Sequence, residues 1–171
     1  MRGRVEAGSD GALDTSGERI ENQRMALVEP RTAGNQPPPL EGVNLFSENA
    51  PLVEALRREG GGFAMERAVD LGEELAGEPL EWSRLANAYP PVLRTHDRFG
   101  ERIDKVEFHP AWHGLLELGV AAGIHALPWR EQVAGAHVAR AAMFVTLAQV
   151  EAGVGCPLSM TYAAVPALRA S

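Results

Sequence analysis

Helical spacing of apolar residues dominates the chain from residue 47 onward. Three amphipathic segments come first, at residues 47–59, 63–76 and 78–88, and each repeats its apolar positions every three or four residues. Ser47 is placed to cap the first segment, and the glycines at 60–62 end it. Because these glycines follow a helix and no Lys-Ser/Thr pair comes after them, the pattern predicts a helix end and not a phosphate-binding loop.

One short β-hairpin is predicted to interrupt the helices at about residues 92–108. The second arm, Arg102–Phe108, alternates apolar and polar residues, which is the period of a half-buried strand. Val92–Thr95 forms the first arm, and Asp97–Gly100 has the composition of a turn. Pro110 follows at a position typical of the first turn of a helix.

Three helices and a helical turn are predicted after the hairpin. The first helix covers residues 110–123, and the turn is expected at 129–133. Gly135–Ala152 is apolar on nearly all sides, but its polar interruptions leave a run shorter than the roughly 18 to 20 residues of a membrane span. A buried bundle helix is therefore predicted. The last helix is predicted to start at Pro157, and its apolar residues need to be buried by another segment. Together these helices predict a mostly α fold class.

The composition fits one globular domain that follows a tail. The chain has 171 residues, of which 45% are hydrophobic, and its net charge of -7 gives no electrostatic footprint for nucleic acid or an anionic membrane. Residues 1–39 contain too little apolar surface to offset the entropy of ordering, so we predict a disordered tail and a domain at 40–171. The single cysteine and the absence of an apolar signal segment after the N-terminal arginines fit a reducing cytoplasm.

The histidines are candidate metal ligands. His109 and His113 are four residues apart on one helix face, but neither a carboxylate nor a third ligand accompanies them. We therefore predict that His109 caps the helix and that His113 packs against the hairpin, and a small metalloprotein is kept only as an alternative. His125 and His137 are predicted to be satisfied structurally.

Two other residues invite a chemical interpretation. Cys156 has no base beside it in the sequence, so we predict a small buried residue at a helix junction and not a nucleophile. Glu151 places a charge in an apolar segment and needs a partner. Arg140 is too far along the helix to be that partner directly, so we predict a structural ion pair elsewhere and not a catalytic base.

A long set of residues resembles the N-terminal region of the AidB type of acyl-CoA dehydrogenases, the adaptive-response branch of that family. The resemblance covers roughly residues 35–170. The residues that carry it are Asn35–Leu40, Asn44–Leu45, Leu85–Asn87, Pro90–Pro91, Asp97, Gly100, Arg102–Asp104, Val106, Phe108–His113, Gly135–Ala142, Gln149–Gly153 and Cys156–Ala164.

The resemblance implies the N-terminal helical domain of the acyl-CoA dehydrogenase fold. Full-length family members bind FAD, act on CH–CH groups, form homo-oligomers and are connected with DNA alkylation damage and DNA binding. Their flavin β-domain and C-terminal helical bundle, which carries the catalytic carboxylate, have no counterpart in these 171 residues. We therefore expect no FAD binding, no catalytic residue and no activity from this chain alone. By position, the resemblance puts Gln149, Met160 and Thr161 in the wall of the acyl channel.

Two hypotheses follow from that expectation. In the first, the chain is an N-terminal fragment from a truncated, frame-shifted or split coding sequence, with Met25 as a candidate start and residues 1–24 as a translation artefact. In the second, it is a free-standing helical subunit or interaction module that assembles with a separately encoded flavin domain. Neither hypothesis includes a membrane or a direct nucleic acid contact for this acidic segment.

Overall fold

The computed structural model describes Pro37 and residues 40–170, and it confirms a mostly helical chain with one β-hairpin. The predicted tail at residues 1–39 lies outside the described residues, apart from Pro37. In chain order the elements are α1 (Ala50–Arg58), a 3-10 turn (Gly62–Ala64), α2 (Met65–Leu75), α3 (Glu78–Ala88), β1 (Val92–His96), β2 (Arg102–Glu107), α4 (Pro110–Ala121), α5 (Leu127–Arg130), α6 (Ala136–Ala148) and α7 (Gly155–Arg169).

The hydrophobic core lies between helices that are distant in sequence. Helix α2 packs on α6, α3 packs on α4, and α7 packs on α4. Leu115 of α4 is completely buried, and Leu158 of α7 is 1% exposed. Burial of such a side chain contributes about 1.5–3 kcal/mol. A Cβ at Gly119 would lie 2.6 Å from Leu158 Cδ1, so the missing side chain lets α4 and α7 approach closely.

Helix α1 begins two residues later than its sequence predicts. The N-cap is Asn49, whose side chain accepts a hydrogen bond from the backbone N–H of Leu52. Ser47 is not the cap, because its backbone N–H donates to Asn44 Oδ1 at 2.9 Å within the turn before the helix. The cap prediction was therefore wrong in position, since a nearby asparagine formed a competing turn.

The glycines after α1 end the helix and then make a close backbone contact. Gly60 has a φ of +84°, the left-handed conformation common after a helix C-terminus. Gly135 precedes α6 with a φ of +81°, and a Cβ there would lie 2.0 Å from the carbonyl oxygen of Gly60. Gly61 is equally enclosed, since its Cβ would lie 2.3 Å from Leu56 Cδ1. This packing explains Gly61 and Gly135, whereas a Cβ at Gly62 would meet no atom of the described residues within 4 Å.

The hairpin forms where it was predicted but its strands are not half-buried. Val92 pairs with Glu107 and Leu93 pairs with Val106 in an antiparallel ladder. The turn is held by Asp97, whose Oδ1 accepts hydrogen bonds from the next backbone N–H groups along the turn. Every residue of both strands is exposed. The prediction of half-burial was wrong for this chain, because no other element in the described part covers either face of the two-stranded ribbon.

The later helices differ from prediction mainly at their ends. Helix α6 stops at Ala148 instead of Ala152, and α5 is a single turn that starts two residues early, at Leu127. Helix α6 buries one side only, and Val145 on its other side is 43% exposed. Within residues 40–170 no helix is both long and apolar enough to cross a membrane.

Candidate functional site

The three residues expected in an acyl channel wall lie in two different places. Gln149 follows α6, and its Nε2 donates to the carbonyl oxygen of Leu45 at 3.1 Å. Met160 and Thr161 lie on the exposed side of α7. The Thr161 hydroxyl donates to the carbonyl oxygen of Pro157, one turn earlier in the same helix. The structure therefore separates Gln149 from the other two residues in their contacts, and no contact within the described residues tests the channel role.

Gln149 borders a shallow cleft of about 360 Å³. The opposite wall of this cleft is the segment Leu40–Pro51, which includes Val43 and Leu45. The Gln149 Nε2 donates one of its two hydrogens to the Leu45 carbonyl, so its second N–H and its Oε1 are the groups left for a ligand. The cleft thus combines this amide with apolar side chains such as Val43 and with the polar side chains of Asn44, Glu48 and Asn49.

Glu151 is buried and forms no ion pair with any described residue, which corrects the sequence prediction. Its Oε2 accepts a hydrogen bond from Asn87 Nδ2 of helix α3, and Ser83 Oγ of the same helix lies 3.3 Å away but has its shorter hydrogen bond, 2.6 Å, to the carbonyl oxygen of Val150. Its Oε1 accepts one from the backbone N–H of Gly153. Neutral donors replace a cation here because α3 presents a hydroxyl and an amide, one turn apart, to the end of α6. The carboxylate therefore ties the turn before α7 to α3, which is a structural role.

Arg140 is the centre of an aromatic cluster at the junction of α5, α6 and α7. Its guanidinium carbon lies 4.6 Å from the ring centre of Phe144 and 4.3 Å from that of Tyr162. The Nε donates to the carbonyl oxygen of Ile124 at 2.9 Å, and Nη2 donates to Ser159 Oγ at 3.1 Å. Burial lowers the pKa of Arg140 from its ordinary value, because desolvation disfavours the charged form.

Two more side chains complete this cluster. The indole N–H of Trp129 donates to the carbonyl oxygen of Tyr162 at 2.9 Å, and the two rings stack. The Nδ1 of His137 lies 2.6 Å from the Tyr162 hydroxyl. His137 is therefore satisfied structurally, as predicted. The cluster itself was missed, because its members come from three elements and only the apolar character of Trp129 and Tyr162 was visible in the sequence.

The predictions for the other histidines agree with the structure in part. His109 caps α4 as predicted, since its Nδ1 accepts a hydrogen bond from the backbone N–H of Ala111 at 3.2 Å. His113 is exposed and its ring meets Phe108, the residue that follows β2. The prediction for His125 was wrong, because its Nδ1 is buried without a hydrogen-bond partner. Among the described residues no group of three His, Cys, Asp or Glu side chains could hold a metal ion.

Cys156 is exposed, which corrects the prediction of a buried residue. The inner positions at the start of α7 are taken by its neighbours Gly155 and Leu158, both of which are buried. A Cβ at Gly155 would lie 3.1 Å from Phe144, so that side of the helix is already filled. Cys156 therefore faces outward because the helix turn gives the inner face to other residues.

A second cleft, of about 440 Å³, lies between α2, the segment around Gly123 and α5. Its apolar floor includes Leu71 and Met143, and its rim carries charges of both signs. Arg67 and Glu131 pair across it at 2.7 Å. Asp70 and Glu74 of α2 are exposed at this rim, as charged residues on a solvated helix face are.

Comparison with known proteins gives a consistent family. The family model described as the adaptive response protein AidB N-terminal domain matches residues 35–171. AidB of Escherichia coli (strain K12), described as a candidate acyl-CoA dehydrogenase, is 47% identical over 139 residues, and the alignment covers 80% of this chain. The same alignment covers 26% of AidB, so the chain spans about a quarter of the length of this relative.

Two solved structures share the fold. The apo form of Bd2924 is 27% identical, with a TM-score of 0.69 over 75% of this chain and 27% of that one. ACDH-11 of Caenorhabditis elegans, solved in complex with C11-CoA, is 22% identical, with a TM-score of 0.68 over 86% of this chain and 26% of that one. The helices and hairpin described above therefore agree with the resemblance seen in the sequence: this chain belongs to the family of AidB N-terminal domains of the acyl-CoA dehydrogenases.

Proposed function

We propose that this chain serves as the N-terminal helical domain of an AidB-like flavoprotein that acts on the CH–CH group of an acyl-CoA substrate. The family match over residues 35–171 carries this proposal. The relative AidB is a candidate acyl-CoA dehydrogenase and ACDH-11 was solved with C11-CoA, which supports the substrate class. We infer that the family's FAD, its catalytic base and its link to DNA alkylation belong to segments beyond the matched quarter.

The described residues do not by themselves fit a flavin dinucleotide. A site for its diphosphate needs backbone N–H groups in an open cradle or a cluster of cations. In the glycine run Gly60–Gly62, Gly61 packs against Leu56 and the carbonyl oxygen of Gly60 faces Gly135, and no cation of the run accompanies them. The cleft beside α2 has an acidic rim in addition to its arginines. No catalytic step is therefore assigned to this chain, and we expect it to be inactive and free of FAD when purified alone.

Exposed apolar residues support a role as one layer of a larger assembly. Met160 on α7 is 68% exposed, and Phe99 at the tip of the hairpin is 78% exposed. In the fold family these surfaces would be covered by the flavin and C-terminal domains, whether in the same chain or in another. By this proposal Gln149, Met160 and Thr161 contribute to the channel wall once the domains meet, in a cytoplasmic homo-oligomer.

A chimera tests the proposal directly. Residues 35–170 replace the matching segment of Escherichia coli AidB, and the product is examined for visible flavin absorbance and for its melting temperature. We expect a folded, flavin-containing chimera, and a chimera that folds without flavin would overturn the proposal. A Leu115→Ala chimera is the matched control, because it should lower the melting temperature through the core of this domain.

A second candidate is a free-standing subunit that assembles with a separately encoded flavin domain. It is favoured by the closed core, in which Leu115 and Leu158 are buried by residues of this chain alone. Mixing the purified chain with an AidB variant that lacks its N-terminal segment distinguishes the two candidates. Binding between the two separate chains would support the free-standing subunit. If flavin were retained in the covalent chimera but the separate chains did not bind, the result would support a domain that must be linked to the rest of the protein.

A further inference from the structure

We propose that Arg140 anchors a binding site for an oxyanion, a phosphate or a carboxylate group, at the junction of α6 and α7. This site is independent of the proposed function, since the acyl channel residues and the flavin are not part of it. Its members are Arg140 and Ser159, with His137 and Tyr162 beside them.

The first observation is a partly buried charge without a counter-ion. The hydrogen bonds of the Arg140 guanidinium go to a backbone carbonyl and a hydroxyl, and no carboxylate in the described part of the chain pairs with it. The chain carries 23 acidic residues against 16 basic ones, so acidic partners are abundant. Removal of a cation from water is costly unless it is paired, and a neutral environment compensates only in part.

The second observation is the fixed orientation of the guanidinium. Its central carbon lies over the rings of Phe144 and Tyr162, while its Nε and Nη2 donate to Ile124 and Ser159. Arginine has five N–H bonds, so about three remain in the plane of the group without a partner among the described residues. An arginine held in this way has already lost its side-chain entropy, which lowers the cost of binding an oxyanion through two parallel N–H groups.

The third observation is that the site can be reached. Arg140 and Ser159 are half-buried and His137 is exposed, so a ligand approaches without opening the core. Ser159 accepts from Arg140 and keeps its own hydroxyl proton for a ligand. A phosphate or carboxylate could accept from the remaining N–H groups of the Arg140 guanidinium and from the Ser159 hydroxyl, which are donors suited to an anion.

A titration of the full chain tests the site. The melting temperature is followed in inorganic phosphate, acetate and chloride at matched ionic strength and pH. We expect a saturable increase with phosphate or acetate over chloride, and the arm with the larger increase identifies the source of the oxyanion. Equal behaviour in all three salts would overturn the proposal.

Two variants and an NMR signal separate binding at Arg140 from an effect of overall charge or of unfolding. Arg140→Lys keeps the charge but removes the planar pair of N–H groups, so binding should weaken roughly tenfold. Arg130→Lys is the matched control, because Arg130 is an exposed arginine. If its oxyanion binding weakened as much as that of Arg140→Lys, the binding would depend only on the overall charge of the protein, which would overturn the proposal. If Arg140→Lys unfolds, the NMR signal of the Trp129 indole N–H in the unmodified chain should still shift saturably with the oxyanion, while that of Trp82 stays unchanged.

Discussion

The helical core and the β-hairpin both carry regular apolar patterns, but only the core covers its apolar residues. Leu115 in α4 is completely buried, whereas Leu93 in β1 is 59% exposed. Helices of one chain can pack their apolar faces against one another, as α2 does with α6 and α3 with α4. A two-stranded ribbon has no second layer unless another element is laid on it. An alternating pattern therefore indicates which face of a strand is apolar, but it does not indicate which other segment buries that face.

The largest difference between the two regions is expected at glycines. Gly135→Ala places a methyl group 2.0 Å from the Gly60 carbonyl oxygen at a φ of +81°, so we expect a loss of roughly 4 kcal/mol in the free energy of unfolding. Gly100→Ala in the hairpin turn is the control, because its φ is +86° but no atom lies within 4 Å. Backbone strain alone should cost about 1 kcal/mol there. Urea unfolding compares the two, and equal losses would contradict the steric explanation.

A matched pair of leucines comes next. Leu115→Ala leaves a cavity in a completely buried position, and a loss of about 3 kcal/mol is expected. Leu93→Ala removes the same atoms from an exposed strand, so roughly 0.5 kcal/mol or less is expected. Both values are read from chemical denaturation of the full chain. A large loss for Leu93→Ala would show that the hairpin is covered in solution, for example by self-association, which sedimentation would detect.

Polar groups should show the same contrast on a smaller scale. Asn87→Ala removes a donor from the buried carboxylate of Glu151, and we expect a loss of about 1–2 kcal/mol. Arg102→Ala removes an exposed ion pair with Asp104 in the hairpin, and the expected change is within about 0.5 kcal/mol. Thermal and urea unfolding measure both variants. Equal losses in the free energy of unfolding for the two variants would contradict the expected difference between buried and exposed polar groups.

The smallest effect concerns a pKa in the hairpin. The hydrogen bond from Arg94 lowers the pKa of Glu107, and the charge of Lys105 contributes less. A lowered folded-state pKa stabilises the hairpin above the ordinary pKa of a glutamate, and this stabilisation is lost as the pH falls through the folded value. Arg94→Met should raise the pKa of Glu107 toward its ordinary value, as seen by NMR titration. Lys105→Met should raise it less, and the reverse order would contradict the geometry.

Much of the fold was predictable from local signals. The bounds of α3 agree with the predicted segment at 78–88, because Pro90 and Pro91 stop the helix. The cap at His109 and the turn at Asp97 also follow from adjacent residues. The cap predicted at Ser47 lies at Asn49 instead, because the competing turn at Asn44 depends on side-chain geometry that a pattern does not contain.

The candidate sites were less accessible to sequence reasoning. Glu151 was recognised as a buried charge, but its partners come from α3 and are neutral. Cys156 was expected inside and lies outside, because the register of α7 decides which residues of its first turn face Phe144. The channel role of Gln149, Met160 and Thr161 stays a prediction, since it depends on a surface that other segments would complete.

The sequence by itself determined the helices, the hairpin and the family, because these depend on periodicity, caps, turns and the identity of residues along the chain. Only the tertiary structure decided that Gly60 and Gly135 meet, that neutral donors surround Glu151, and that Arg140 lies over two aromatic rings with no carboxylate partner in the part of the chain that the structure describes. The physical reason is distance along the chain: each of these contacts joins residues from different elements, and their partners are chosen by how the helices pack and not by neighbouring letters.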